Sequence, residues 1–240
     1  MNKRMVLCVA LVMIVLLGSG LSAGSALAGR SPMKIAKEVL GHPPRGLAKT
    51  ILQRGTVRVA NDLDYPPQSC LDPGTGKLVG FDVDVARKTA RILGLKVVWR
   101  HPEWSRVIPG LRAGRFDVSI GSMTVTPERQ KLVCFTNAYY FAGYQVFVKS
   151  GGTQIAGPAD LAGKTVGAGV GTLYVEYLDE NTEAIVAEYA SDLDALADLA
   201  GGNIDFAITH PVTGQQAILD GMPLDFSGTP LHYDRIAMAL

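Results

Sequence analysis

The sequence is short of the residues that mark a metal centre, a disulfide scaffold or a polyanion-binding surface. It holds three cysteines and four histidines. His42, His101, His210 and His232 are scattered without metal-ligand spacing, so neither a metal nor a cofactor is expected. Charged residues make up 19% of the chain and leave a net charge of +1. That balance gives no electrostatic case for nucleic acid or an acidic membrane as partner. Long apolar runs are also missing apart from Met5 to Leu17, which is too short for a comfortable transmembrane helix. Lys3 and Arg4 precede that run and small residues follow it to Ala26-Leu27-Ala28, the pattern of a secretory signal peptide over residues 1–28. Cys8 lies inside the run, so an exported mature chain retains Cys70 and Cys134. In an oxidising compartment these either pair or stay as two separate buried thiols, and spacing alone leaves both open.

What is present is an alternation of strand and helix signals. The 240 residues can hold one large domain or two lobes of about a hundred residues each. Residues 29–55 read as a leader before the fold. Thr56 to Ala60 reads as a strand, residues 62–80 as a loop, and Asp82 as the cap of a helix running to Leu93. Leu95 to Arg100, Ser105 to Ala113 and Phe116 to Gly121 continue as strand, helix and strand. A similar unit follows: strands at Lys164 to Val170, Ile185 to Tyr189 and Ile204 to Thr209, with helices after Thr172, Ser191 and His210. Such alternation predicts an α/β fold with a largely parallel sheet.

The chemistry concentrates after the third strand. Gly121, Ser122 and Thr124 lead into Thr126-Pro127-Glu128, a helix start with Thr as N-cap and Pro at the first helical position. Arg129 stands in the first turn, and its planar fork of donors suits a carboxylate. Gly167-Ala168-Gly169-Val170-Gly171-Thr172 has the wrong spacing for a dinucleotide fingerprint and no Walker lysine follows. What remains there is a helix N-terminus with the Gly171 and Thr172 amides as a weak anion site.

Asp64-Tyr65-Pro66-Pro67, Lys77 to Ala86, Trp104 with Ile108 to Leu111, Phe116-Asp117-Val118 and Met123 to Arg129 occur in an order and spacing similar to family 3 bacterial extracellular solute-binding proteins. These are the periplasmic, polar amino-acid-binding components of ABC importers. The resemblance implies two α/β lobes, 56–142 and 143–230, joined by two crossing strands with a ligand cleft between them. Residues 231–240 would be the return crossing, ending where the family continues with further helices, as in a truncated product. It also implies that Gly121, Ser122, Thr124 and Arg129 hold a ligand carboxylate, that Tyr65 and Trp104 cover its side chain, and that Asp62 meets a basic group. A monomer serving a membrane permease is expected, with no catalysis.

Two departures widen the expected ligand to a small carboxylate, either an amino acid or an organic acid. Where the family places an acid after the second-lobe strand, this chain reads Ile208-Thr209-His210-Pro211, and Leu173 stands where a hydroxyl is common. A neutral His210 would accept weakly from an ammonium, and a protonated one would favour a second anion. The same resemblance leaves two other readings: a cyclohexadienyl or arogenate dehydratase-like enzyme, and an accessory of a periplasmic quinoprotein dehydrogenase.

Overall fold

A computed structural model describes residues 31–240, so the expected signal peptide lies outside the described residues. Two helices, α1 (Pro32–Leu40) and α2 (Gly46–Arg54), precede β1 (Thr56–Ala60). A small antiparallel sheet of β2 (Asp64–Tyr65), β3 (Ser69–Leu71) and β4 (Leu78–Val79) leads into α3 (Phe81–Ile92) and β5 (Lys96–Arg100). A 3-10 turn at Trp104–Arg106, α4 (Val107–Arg112), β6 (Val118–Thr124) and α5 (Pro127–Leu132) complete the first half. Then come β7 (Tyr140–Lys149), β8 (Thr165–Gly169), α6 (Leu173–Asn181), β9 (Ile185–Tyr189), α7 (Asp192–Gly201), β10 (Phe206–Thr209), α8 (Pro211–Leu219) and β11 (Leu224–Ala239).

The main sheet runs β5-β1-β6-β11-β7-β10-β8-β9. Pairing is parallel in β5-β1-β6 and in β10-β8-β9, and antiparallel where β11 meets β6 and β7 and where β7 meets β10. The halves are therefore joined by two long strands. β11 pairs with β7 from Leu224 opposite Lys149 to Ile236 opposite Tyr140, with a register shift between Ser227 and His232.

Each half is a sheet buried on both faces, which is why its strands carry apolar residues at successive positions. In the first half Val59 and Met238 face one core while their neighbours Ala60 and Ala239 face the other. In the second, Val146 and Val148 pack on one side and Phe147 on the other, and Ile208 and Ala207 divide likewise. Gly214 of α8 meets Phe147 so closely that an added Cβ would lie 2.1 Å from the ring.

The stretch read as a leader is built into this first half. Ala36, Ala48, Ile51 and Leu52 of α1 and α2 join the core of Val59, Leu95, Met238 and Leu240. Arg54, at the end of α2, pairs with the buried carboxylate of Asp117, whose other oxygen lies 2.7 Å from Arg58. Amphipathic helices beside an otherwise uncovered sheet face dock there because burying their apolar stripe is favourable. Truncating Ile51, which is 6% exposed, to Ala is expected to cost about 2–5 kcal/mol, read from urea unfolding. A loss below ~0.5 kcal/mol would mean that these helices do not support the sheet.

Two smaller expectations need correction, and the state of the cysteines, left open by spacing, is decided. β6 continues through Gly121 to Thr124, so Ser122 and Thr124 lie on a strand and not in a loop. Gly80, not Asp82, occupies the cap position of α3, and Asp82 is fully buried. Cys70 and Cys134 are both free thiols. Among the described residues no helix is long and apolar enough to cross a membrane.

Candidate functional site

The parallel strands of both halves point their carboxyl ends at one cavity, the usual place for a ligand in such sheets. Its first-half lining is Asp62, Asp64, Tyr65, Trp104, Gly121, Ser122, Thr124 and Arg129. The second half contributes Gly169, Val170, Thr172, Leu173, Tyr174, Ala190, Ser191 and Asp192. Eight of the residues singled out in the sequence are thus brought together, and Gly171 and His210 are not among them.

Arg129 is positioned by its helix start. Thr126 caps α5, its hydroxyl accepting from the Arg129 amide at 3.1 Å. The side chain then lies buried, with the guanidinium centre 5.8 Å from the Trp104 ring and Nη1 donating to the Thr124 carbonyl at 3.3 Å. Among the described residues no carboxylate lies within ion-pairing distance of it. Burial pulls its pKa down, and the largest opposing influence is the charge of Glu176. A buried guanidinium without a carboxylate partner is costly unless an anion joins it.

Ser122 lines the cavity in a left-handed conformation, φ 54°, that a non-glycine residue adopts at a cost. Its groups are held from behind. The amide donates to the Tyr139 hydroxyl at 3.2 Å, and the side-chain hydroxyl donates to Asp82 at 2.7 Å while accepting from Tyr140 at 2.6 Å. Tyr139 donates to the other Asp82 oxygen at 2.6 Å. Burial pushes Asp82 up to about 6, against those bonds from Tyr139 and Ser122. The Ser122 hydroxyl is therefore committed to this support, of which the only local signal was an acid, Asp82, where a cap was expected.

The second half answers with a carboxylate. Asp192 opens α7 after the Ser191 cap and is 9% exposed. One oxygen accepts from the Thr209 hydroxyl, and a backbone hydrogen bond from Gly169 supports the group. An added Cβ on Gly169 would lie 2.6 Å from Asp192 Oδ1, so any larger residue there would have to displace that carboxylate. Burial pushes Asp192 up to about 6, although the Thr209 bond holds it back. Asp62, on the same cavity wall, is pushed up to about 7 by burial and then by Asp64, Asp192 and Asp82.

The second half's acid on the cavity wall is Asp192, carried by α7 and brought beside Thr209. His210 takes a different part. It is 4% exposed and off the cavity wall, and its Nδ1 accepts from the Val212 amide at 3.1 Å as the cap of α8. Its ring stands edge-on to Tyr140 at 5.8 Å, and burial pushes its pKa down to about 4, so it is neutral at ordinary pH. Asn caps helices well. His210→Asn is therefore expected to keep ligand affinity within about threefold, measured by calorimetry, and a larger loss would return His210 to the site.

Gly171 joins the halves: its carbonyl accepts from the Trp104 indole at 3.0 Å. The Thr172 amide, expected free, donates to the Gly169 carbonyl at 3.2 Å, and its hydroxyl donates to the same oxygen at 2.7 Å. Of the two amides expected free at this helix start, that of Thr172 is thus engaged by the protein's own carbonyl. Among the described residues no cluster of His, Cys, Asp or Glu could hold a metal ion.

Residues 57–200 match the sequence profile of the bacterial extracellular solute-binding proteins, family 3. The chain belongs to this family. The L-cystine-binding protein TcyJ of Escherichia coli (strain K12) is 35% identical over 188 residues, covering 78% of this chain and 68% of that protein. The L-arginine-binding protein of Pseudomonas aeruginosa is 33% identical over 166 residues, covering 68% of this chain and 64% of that one. The chain thus spans about two thirds of the length of these relatives. Among solved structures, the holo ArgBP of T. maritima superimposes with a TM-score of 0.76 at 30% identity, covering 80% of this chain and 85% of its own. These relatives are binding proteins and not enzymes, and the family's two-lobed α/β architecture is the one described above. The matched segment begins after α2, so the two N-terminal helices lie outside it.

Proposed function

We propose that this solute-binding protein captures an α-amino acid in the cavity between its halves and delivers it, outside the cytoplasm, to an ABC permease. The observation that carries this reading is the buried, unpaired Arg129 sharing one cavity with Asp192 from the opposite half. A guanidinium and a carboxylate supply the complements of an α-carboxylate and an α-ammonium. Organic acids without an amino group would leave Asp192 buried and unanswered. The printed names of the relatives, L-cystine-binding and L-arginine-binding, support the same class.

Charge narrows the class. Asp62, Asp64 and Asp192 line the cavity, and Arg129 is the one cationic side chain among the lining residues. A basic amino acid adds a second positive charge to this acidic excess, whereas the far end of L-cystine is a zwitterion with no net charge, whose second carboxylate finds no further cation among the described lining residues. The reading is therefore a basic amino acid of the arginine kind. Contacts from both halves would favour the closed form, with motion about the β7–β11 ribbon where its register shifts between Ser227 and His232. The signal peptide read at residues 1–28 accounts for export, and a single chain contains both halves of the cavity, as a monomer requires.

Titration calorimetry with L-arginine, agmatine, the 2-oxo acid of arginine and L-cystine tests this. Arginine is expected to bind at least about a hundredfold tighter than agmatine, which lacks the carboxylate, or the oxo acid, which lacks the ammonium. Equal affinity for agmatine would remove Arg129 from the ligand, and preferential cystine binding would overturn the charge argument.

A further inference from the structure

Asp64 stands at the edge of the cavity, on β2 and exposed, two residues after the half-buried Asp62. β2 packs against α7, whose first residue is Asp192. The carboxylates on the wall thus come from three places: the segment after β1, β2 itself, and the start of α7. Asp64 is the one that acts on both of the others, since its charge adds to the effect of burial at Asp62 and again at Asp192.

We propose that Asp64 determines specificity, selecting ligands with a second positive charge by supplying the counter-charge for the end of a basic side chain at the cavity rim. The inference rests on the amino-acid reading above. Arg129 and Asp192 are engaged by the α-carboxylate and α-ammonium, which leaves Asp62 and Asp64 as two acids close together. A neutral side chain leaves their mutual repulsion in place, and only a proton on Asp62 relieves it. A cationic side chain relieves it directly, and Asp62 then sheds that proton. Asp62 is faced by the acids Asp64, Asp82 and Asp192, while Arg129, Tyr65 and Tyr174 share the wall. Among the described residues no other charged side chain lines the cavity.

L-arginine and L-citrulline have the same length and shape but differ in side-chain charge, so their comparison isolates the effect. Both are titrated calorimetrically at pH 7 into the wild type and Asp64→Asn, in two buffers of different ionisation enthalpy. The wild type is expected to prefer arginine and to release more protons with it than with citrulline. In Asp64→Asn the arginine-to-citrulline affinity ratio is expected to contract by about three- to fivefold, the upper end of the scale for an exposed charge pair. The extra proton release should shrink with it, because Asp62 has lost the neighbour that holds its proton; a merely structural role would not move that proton count. An unchanged ratio and proton count in Asp64→Asn overturns the role of Asp64 alone, as does a wild type that binds both ligands equally. A wild type that binds neither ligand overturns the amino-acid reading and this proposal with it.

Discussion

Arg129→Met should lose about thirty- to several-thousand-fold in affinity for L-arginine while unfolding at the same denaturant concentration as the wild type or a higher one. The two effects share a cause. Among the described residues the guanidinium is hydrogen-bonded to the Thr124 carbonyl and lies against the Trp104 ring with no carboxylate in contact, so its desolvation is only partly offset, chiefly by the more distant Glu176. Replacing an unpaired buried charge with an apolar side chain of similar volume is commonly neutral or stabilising. A ligand carboxylate entering the mutant cavity, by contrast, would meet no cation. Urea unfolding without ligand and calorimetry with L-arginine are the measurements. Retained affinity within about threefold would take Arg129 out of the binding site. A loss of several kcal/mol in stability would make it a structural residue instead.

Asp192→Asn is the matching change in the other half, and a similar loss of about 2–5 kcal/mol in binding is expected. Asparagine keeps the shape and can still accept from the Thr209 hydroxyl, so what disappears is the negative charge. The pH dependence follows in sign. The Asp192 carboxyl is raised to about 6 from the ordinary value of 3.8, so ionising it above pH 6 costs the ligand-free protein stability. The Asn variant is therefore expected to be more stable than the wild type above pH 6, with the difference vanishing towards pH 4. Wild-type affinity for arginine should fall as pH drops through 7 and then 6, because Asp62 and Asp192 must lose their protons to meet a cation. In Asp192→Asn the fall near pH 6 should be shallower. An identical pH profile in both proteins would mean that Asp192 does not meet the ligand.

Much of the site could be read from local sequence because its positioning is local. Thr126, Pro127 and Glu128 form a helix start by capping geometry that involves three or four consecutive residues, and Arg129 is fixed by that start. The S-x-x-D signal at Ser191 and Asp194 likewise forms the cap it predicts. The same signal hid Asp192, which looked like an ordinary first-turn acid next to a cap. His210 misled for the complementary reason: a titratable residue at the end of a strand reads as functional, yet here it caps the following helix and its ring is buried. The residues read as a leader carried no strand and no motif, and only their packing against Val59, Met238 and Leu240 shows what they do.

Local sequence was enough for the alternation of strands and helices, for the capped helix start that places Arg129 and for the family. Each of these depends on hydrophobic period, capping and ordered motifs, which act over a few residues. Only the tertiary structure decided which acid enters the cavity, that Asp82 and not solvent holds Ser122, and that α1 and α2 complete the first half. Those outcomes depend on strand order. With β8 between β9 and β10, the start of α7 lies beside the end of β10, and Asp192 reaches Thr209 across 17 residues of chain. Burial then does the rest, raising the carboxyls, keeping His210 neutral and leaving Arg129 without a protein anion. Desolvation is set by everything that surrounds a group in space, and no stretch of sequence around it carries that information.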